Sequence, residues 1–409
     1  MNQELIRIVD NIARDKNIDR ESIFQDLEAA MVSAIRKSYG RDEADVDVVV
    51  NINRSTGAIS AYKDEEEIDI RRLGRIPAQT AKQVMIQKIK ADERDSIFAE
   101  FVQRKGEIIN GIAGRYEGGS LVINFSRAEG VMPKGEQIIG ETHHPGERIR
   151  CLILDVREMA NQVKIVLSRT HPDFIRRLFE LEVPEVAEGI IEIKVLAREA
   201  GYRTKVAVNS NDDKIDAVGA CVGVRGSRIR NIVDELGGEK IDIVRWSDSS
   251  QVLIANGLKP AEVSEIAICF ELGRATVVVS EDQLSLAIGK HGQNVRLAAR
   301  LTGWDIDILT PSEYNREVER LAACLKDVEG VDDTFVDKLL ALGIISVLDL
   351  EEVGLVPLVE ELGVEESLAK SIVAAASEDA KRLAAEKSRK QAEDLLEREK
   401  KEEIDAGGI

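Results

Sequence analysis

Apolar residues recur at helical spacing within the first hundred positions of this 409-residue chain. Two such stripes, in residues 5–12 and 23–35, predict amphipathic helices, and a longer helix is predicted for residues 80–102. Alternating apolar runs at 46–52 and 59–62 predict a β-hairpin. Stripes of this kind normally form a domain core, so they predict a mixed helical and α+β N-terminal domain without indicating its function.

The pattern changes to short strands after residue 104. Apolar runs of strand length occupy residues 107–113, 121–125, 148–156 and 162–167, and glycine and proline turns separate them. Runs this short and this closely spaced are typical of a small β-barrel. The sequence therefore predicts a barrel between residues 105 and 171.

The most informative feature is an internal repeat. The quartets Gly223-Val224-Arg225-Gly226 and Gly289-Lys290-His291-Gly292 lie 66 positions apart inside matching stretches of sequence. Two strand-like runs precede each quartet, and a helix and a strand follow it. A single GxxG carries little information, since a third one at residues 111–114 falls within a strand-like run. The matched surroundings, rather than the glycines, predict two related domains.

Each quartet has the chemistry of a phosphate clamp. Glycines let the backbone approach a phosphodiester closely, the next helix offers unpaired N–H groups, and Arg225 or Lys290 adds positive charge. The repeats resemble two tandem KH domains of type II, in which the first strands precede the loop. The alternative is a pair of ordinary helical turns. The candidate RNA-binding residues of the two repeats are Gly223, Val224, Arg225, Gly226, Arg228, Arg230, Gly289, Lys290, His291, Gly292, Asn294, Arg296 and Arg300.

The net charge of −19 is unevenly distributed. Residues 314–409 hold 24 acidic and 13 basic side chains, so this last quarter carries −11 of the total. The nearly neutral middle predicts local rather than indiscriminate binding of a polyanion. Helical patterns punctuated by glycine predict an acidic helical domain at 318–380, followed by a charged tail at 381–409. A flexible joint is expected at 311–315.

The sequence lacks the signatures of an enzyme or a metal site. Its four cysteines form no CxxC pair, and its four histidines form no HExxH motif. Gly130 and Gly135 have P-loop spacing, but Glu136 stands where the phosphate-binding lysine is needed. No apolar run approaches the roughly 18 residues of a membrane span. We therefore predict a non-enzymatic, monomeric, cytoplasmic protein with no catalytic residue, no metal and no cofactor.

Several ordered motifs resemble those of the bacterial NusA family of transcription termination/antitermination proteins. They are residues 74–84, 106–109, 182–185, 216–223 and 289–298. Long motifs in this order are highly specific, and the resemblance covers nearly the whole chain. It implies a multidomain α+β fold. The implied domains are an N-terminal RNA polymerase-binding domain (1–104), an S1 (OB-type) β-barrel (105–171), a first KH domain (172–247), a second KH domain (248–313) and one acidic helix-hairpin-helix-like repeat (318–380).

The resemblance implies a factor that modulates elongation, pausing, termination and antitermination. Its implied partners are RNA polymerase, nascent single-stranded RNA and other elongation or antitermination factors, with Arg75 and Lys82 as the polymerase contacts. A ribosome-associated RNA chaperone or RNA-processing accessory protein is the alternative. Candidates for an RNA-binding face of the barrel are Tyr116, Phe125, His143, Arg148 and Lys164.

Two departures from the family pattern bear on these expectations. Only residues 63–73 fill a gap that is usually longer and acidic, so the part of the N-terminal domain that contacts polymerase is shortened. In the barrel, Asn124-Phe125-Ser126 replaces a more typical Asp-Leu-Gly, which adds an aromatic ring on or under the RNA face.

Overall fold

The computed structural model describes residues 2–16, 18–39, 47–64, 66–68, 75–159, 162–326, 328 and 330–385. The chain divides into two compact units, Met1–Leu178 and Phe179–Ile409. Both units combine helices with sheets, which confirms the predicted multidomain α+β fold. None of the helices in the described part of the chain is long and apolar enough to cross a membrane.

The first unit begins with helices packed on a small sheet. Val9, Phe24 and Ile35 are buried along the two predicted stripes, which confirms both amphipathic helices. The long helix is present but begins at Arg75, because Pro77 falls in its first turn, where a missing N–H removes no helical hydrogen bond. The elements are α1 (Asn2–Lys16), α2 (Arg20–Tyr39), β1 (Val48–Ile52), β2 (Ile59–Lys63), β3 (Glu66–Glu67) and α3 (Arg75–Gln103).

A closed β-barrel completes the first unit, as the short apolar runs predicted. Its strand order is β4-β5-β6-β8-β7, with β6 and β8 parallel and the other pairs antiparallel. Inward-pointing residues such as Leu121, Ile123 and Ile153 are fully buried. The strands are β4 (Ile108–Glu117), β5 (Ser120–Asn124), β6 (Glu129–Met132), β7 (Arg148–Glu158) and β8 (Val163–Ser168).

The two predicted repeats have the same topology in the second unit. In each sheet the middle strand is antiparallel to the first strand and parallel to the third. Two short helices, α4 (Pro172–Glu182) and α5 (Pro184–Ala187), precede the first repeat. The first repeat is β9 (Ile191–Glu199), β10 (Arg203–Ser210), α6 (Ala217–Val222), α7 (Ser227–Glu235) and β11 (Lys240–Arg245). The second is α8 (Ser250–Leu258), β12 (Glu265–Cys269), β13 (Arg274–Val278), α9 (Glu281–Ile288), α10 (Gln293–Thr302) and β14 (Asp305–Leu309).

Each sheet has an outer face that another part of the chain covers. On the first repeat, Ala197, Ala207 and Val244 pack against Leu297 and Leu301 of α10. In the second repeat, Ala275 and Val277 lie on the inner face of the sheet and pack with residues of its own helices α9 and α10. The first repeat is therefore joined to the second by a continuous apolar contact, and the two form one packed body.

The C-terminal helices cover the second repeat. They are α11 (Pro311–Leu325), α12 (Asp333–Ala341), α13 (Val347–Val353), α14 (Leu355–Glu360) and α15 (366–385). Leu321, Leu325 and Ile344 share one core cluster with Cys269, and Leu272 packs against it. This region therefore has a core built mainly from its own helices, and that core also contacts the second repeat at Cys269 and Leu272.

The prediction of a flexible joint at 311–315 is wrong. Helix α11 starts directly after β14, and Thr310 and Glu313 form a capping box at its first turn. A capping box satisfies two of the free N–H groups of a helix start, and Pro311 at the first helical position has its backbone angle preset for a helix. The segment that looked like a linker from its composition is thus a helix start.

Candidate nucleic-acid interface

The two GxxG loops have the same backbone geometry. The φ angles of the first glycines are 75° at Gly223 and 73° at Gly289. Those of the third residues, Arg225 and His291, are 54° and 53°. A left-handed conformation costs a non-glycine residue roughly 1–2 kcal/mol, so it persists only where the surroundings impose it. The two loops therefore share one backbone conformation although their side chains differ.

Both loops leave the next helix without a side-chain cap. The N-cap residues of α7 and α10 are Gly226 and Gly292, and neither can offer a side-chain acceptor to the first N–H groups. In contrast, Thr310 and Asp332 accept such hydrogen bonds at α11 and α12. Free N–H groups at a helix start favour an external anion such as a phosphate.

The side chains at the loop tips are exposed and available. Val224 is 83% exposed, and Arg225, Lys290 and His291 are exposed as well. No side chain among the described residues forms an ion pair with these three polar residues. The cationic residue stands at the third position of the first loop and at the second position of the other. Both predicted loops thus present positive charge at the start of a helix that has no side-chain cap.

The structure corrects the prediction for two candidates near the loops. Asn294 is 2% exposed, and its amide donates to the carbonyls of Leu258, Leu286 and Ala287, so it does not face an RNA ligand. Arg228 is half-buried, and its Nη1 donates to Glu185 and to the carbonyl of Ala220. Both side chains are engaged inside their own domains.

The remaining basic candidates differ in their surroundings. Arg230 is exposed, and its Nη2 donates to the carbonyl of Arg225 at 3.4 Å, next to the loop tip. Arg296 Nε donates to Glu199 of the first repeat at 2.6 Å, and Arg300 lies 3.9 Å from the same carboxylate. The Arg296 guanidinium holds the pKa of Glu199 below its usual range. Part of the charge of Arg296 and Arg300 is therefore used to join the repeats.

The barrel candidates are dispersed. Phe125 packs with Phe101 on the barrel core, its ring fitting beside Gly111 and Gly130, so it lies under the face rather than on it. Arg148 and Lys164 are both exposed, but Lys164 stands opposite Arg157, which is nine positions along β7 from Arg148. At the rise of a strand this is roughly 30 Å, so the structure does not bring them together.

The other two barrel candidates form one contact. The backbone N–H of His143 donates to the hydroxyl of Tyr116 at 3.4 Å. The His143 ring is largely buried between Glu141 and Glu147, while Tyr116 is half exposed. Only Tyr116 of this pair is available to stack with a base.

A groove beside Lys164 contains residues that sequence reasoning missed. It has a volume of about 700 Å³ and runs between α3 and strands β5, β6 and β8. Val122 and Val131 line it together with several cationic side chains, and among the described residues Lys90 and Lys164 have no ion-pair partner. Helical periodicity cannot show which strand a helix crosses, so this set could not be found from the sequence. The cationic residues of the groove are Lys90, Arg94, Arg115, Arg127 and Lys164.

Two predictions concern residues or chemistry that the loops do not include. The side chains of Arg75 and Lys82, the predicted polymerase contacts, lie outside the described residues. Among the described residues, no group of three His, Cys, Asp or Glu side chains is arranged to hold a metal ion.

The fold and the paired loops define a protein with tandem KH domains, the class of module that clamps single-stranded RNA with a GxxG loop. Residues 169–246 match the NusA-like first KH domain, residues 250–316 the NusA-like second KH domain and residues 4–66 the NusA N-terminal domain. The chain belongs to the NusA family of transcription termination/antitermination proteins. Below, the first repeat is KH1 and the second is KH2.

Similar proteins bear this name in distant bacteria. The chain is 38% identical over 357 residues to "Transcription termination/antitermination protein NusA" of Bacillus subtilis (strain 168), which covers 78% of this chain and 95% of that protein. It is 42% identical over 317 residues to the protein of the same name from Mycobacterium tuberculosis (strain CDC 1551 / Oshkosh), covering 72% of this chain and 89% of that one.

Proposed function

We propose that this protein binds nascent single-stranded RNA through its two KH loops while attached to RNA polymerase, and thereby modulates elongation, pausing, termination and antitermination. The observation that carries the proposal is the pair of GxxG loops with one geometry in a member of the NusA family. Each loop offers an uncapped helix start and an exposed cation to one phosphate. Two such clamps on one packed body hold a strand at two points.

The barrel provides the second RNA contact in this proposal. Its strand order supports an S1 (OB-type) domain, in which single strands lie across the strand face. Lys164 and Lys90 line a groove on the barrel and have no ion-pair partner among the described residues, so both are available to phosphates. Tyr116 is the exposed aromatic ring of the barrel candidates.

The partners in this proposal follow from the family. The N-terminal domain, residues 1–104, binds RNA polymerase, with Arg75 and Lys82 as contacts, and other elongation and antitermination factors assemble on the same complex. The protein acts by binding, without catalysis, and does so as a cytoplasmic monomer. Lack of an enzyme signature in the sequence supports this part of the proposal.

Charge reversal at the loop tips tests the RNA clamp. In the full chain, the double change Lys290→Asp and His291→Asp should weaken binding of a short unstructured RNA by about tenfold to a hundredfold, because the lost charge-assisted contact of Lys290 is worth about 1.5–3 kcal/mol. Arg225→Asp should weaken it less. The measurement is fluorescence anisotropy at fixed salt. Lys370→Asp, an exposed change on α15, is the matched control and should leave affinity unchanged. Wild-type affinity of the double variant would refute the clamp.

Co-purification tests the polymerase partner. Full-length protein should be retained by core RNA polymerase in the absence of RNA, and Arg75→Glu with Lys82→Glu should reduce retention. Lys338→Glu with Lys370→Glu, at two exposed positions, makes the same change in net charge and serves as the control. Retention by ribosomes but not by polymerase would instead favour the RNA-chaperone alternative.

A further inference from the structure

Arg228 and Asn294 occupy the same position in the two KH domains. Each lies five residues after the first glycine of its quartet, and the two are 66 positions apart, like the quartets themselves. Each side chain also lies directly under that glycine. A Cβ on Gly223 would be 2.7 Å from Arg228 Cγ, and one on Gly289 would be 2.8 Å from Asn294 Cβ. The glycine thus makes room for the side chain beneath it.

Both side chains donate to the same carbonyl of the helix before the loop. Arg228 Nη1 donates to the carbonyl of Ala220 at 2.8 Å, and Asn294 Nδ2 donates to that of Leu286 at 3.1 Å. Ala220 and Leu286 are again 66 positions apart. The last carbonyls of a helix have no partner within it, so a side-chain donor from the next helix satisfies them. Each contact ties the helix before the loop to the helix after it.

We propose that Arg228 and Asn294 are positioning residues for RNA binding, a latch that holds each GxxG loop in its binding geometry without touching the phosphate. The inference rests on the proposed function of the loops. This role explains why Asn294 is buried. It also explains why Arg228 is partly buried and bonded within its domain, whereas Arg225, three residues earlier, is exposed.

The two latches differ in chemistry. In KH2 the amide of Asn294 is neutral, buried and bonded to three carbonyls. In KH1 the Arg228 side chain is 30% exposed and shares its guanidinium with Glu185, which is 28% exposed, at 2.9 Å. The KH1 latch therefore depends on a second residue, on α5, that aims the guanidinium at Ala220. Glu185 is a positioning residue of the same set.

The salt dependence of RNA binding separates a latch from a phosphate contact. The logarithm of the binding constant falls with the logarithm of salt by about 0.7 per phosphate neutralised on a single strand. Arg225→Gln should lower the affinity of the full chain for a short unstructured RNA and reduce that slope by about 0.7. Arg228→Gln should lower the affinity several-fold and leave the slope nearly unchanged. A slope reduced as much as in Arg225→Gln would overturn the latch.

Glu185→Gln gives opposite expectations for the two roles. If Arg228 is a latch, loss of the carboxylate frees the guanidinium and weakens RNA binding. If Arg228 contacts phosphate, loss of its competitor strengthens binding, which would contradict the proposal. Arg228→Lys keeps a charged donor near Glu185 and the Ala220 carbonyl, so it should recover part of the affinity lost in Arg228→Gln.

Amide hydrogen exchange tests the latch without RNA. The N–H groups of Gly223 and Gly226 donate to Gly219 and Gly223 in the resting loop. Arg228→Gln should speed their exchange in the full chain, while Arg225→Gln should not. Asn294→Ala is the matched change in KH2, and its effect is measured on the exchange of the Gly289 and Gly292 N–H groups. If Asn294→Ala unfolds KH2, the Arg228 variants decide the outcome. Unchanged exchange in Arg228→Gln sinks the latch. If Arg225→Gln and Lys290→Gln leave RNA binding unchanged, the proposed phosphate clamp is wrong. The exchange data still test the latch in that case.

Discussion

KH1 and KH2 share one fold and one loop geometry, yet different parts of the chain cover the outer faces of their sheets. On KH1 the cover is α8 and α10 of KH2, which bury Ala197, Ala207 and Val244. On KH2 the cover is the C-terminal helical region, which shares a core with Cys269 and Leu272. The comparison shows that each domain leaves an apolar face for the segment that follows it in the chain.

A cation on the middle strand secures each cover, but the two cations act differently. In KH1, Lys205 is fully buried opposite Asp242 and donates to the carbonyl of Lys259 at the end of α8. Burial lowers the pKa of Lys205, and Asp242 opposes that effect. At the equivalent register position KH2 has Thr276, opposite Asp307. The cation that contacts the C-terminal helices is Arg274, two residues before Thr276 on the same strand.

Arg274 of KH2 forms ion pairs with acidic residues of the C-terminal region, so part of that region's negative charge serves to hold it in place. Its Nη1 lies 2.7 Å from Asp349 and its Nη2 3.1 Å from Glu352, both on α13, and Asp307 is 3.5 Å from its Nε. The contacts that hold the region therefore lie on the strand side of KH2, whereas Lys290 lies at the junction of α9 and α10. The acidic C-terminal region is thus paired with a cation of the same chain, Arg274.

The largest expected effect comes from breaking the cover of KH2 at Gly343. This glycine has φ +76°, and a Cβ on it would lie 2.3 Å from the backbone of Ile268. Gly343→Ala should lower the free energy of unfolding by about 3 kcal/mol or more, since backbone cannot move aside and the left-handed angle adds roughly 1–2 kcal/mol. Urea unfolding followed by tryptophan fluorescence measures it, because Trp304 contacts Phe270 beside this strand.

Gly363→Ala is the matched control for that change. Its φ is +66°, and a Cβ there would meet nothing within 4 Å. It should cost only the strain of the backbone angle, about 1–2 kcal/mol. Equal losses in the two variants would mean that the turn between α12 and α13 does not press on β12.

A smaller effect is expected from removing the Arg274 contacts. Arg274→Gln should cost about 2 kcal/mol, because it leaves the mostly buried Asp349 without its charged donor. Arg203→Gln in KH1 is the counterpart, and it should cost less, since Lys205 remains 3.3 Å from the shared Asp242. Urea unfolding of both variants gives the difference, and a larger loss in Arg203→Gln would reverse the comparison.

The smallest effect is a pH dependence of the contact between KH1 and KH2. Arg296 lowers the pKa of Glu199 in the folded state, so this carboxylate adds stability above its unfolded pKa of about 4.3 and loses it as the pH falls through the lower folded value. Glu199→Gln should cost about 1 kcal/mol or less at pH 7, because the pair is partly exposed, and a smaller amount near pH 3. Thermal melts at both pH values measure it. An equal loss at both would assign the effect to packing.

The sequence predicted what is repeated and local. Two matched quartets with their flanking strands gave both domains and both loops, because 66-residue spacing and strand patterns need no knowledge of tertiary contacts. The same reasoning placed Arg228 and Asn294 with the RNA-facing residues, since spacing from a glycine does not show which way a side chain points. Their carbonyl partners became visible only in the folded domains.

Composition misled where a helix and a sheet meet. Residues 311–315 have the polar character of a linker, but they begin α11, and Leu321 and Leu325 on that helix belong to a cluster that also contains Cys269 of KH2. The groove beside Lys164 was missed for a similar reason, because Lys90 and Val131 come together only when α3 crosses the barrel. The acidic helices predicted from charge also pack against Cys269 and Leu272 of KH2, which charge alone does not indicate.

The covered sheet faces also set an order for folding on the ribosome. KH1 emerges with Ala197, Ala207 and Val244 exposed, and these residues stay in water until Leu297 and Leu301 have been synthesised, roughly a hundred residues after the first of them. At synthesis rates of about 5–20 residues per second, this leaves an apolar face open for seconds. During that interval the face is exposed apolar surface of the kind that promotes aggregation, and the growing chain itself closes it.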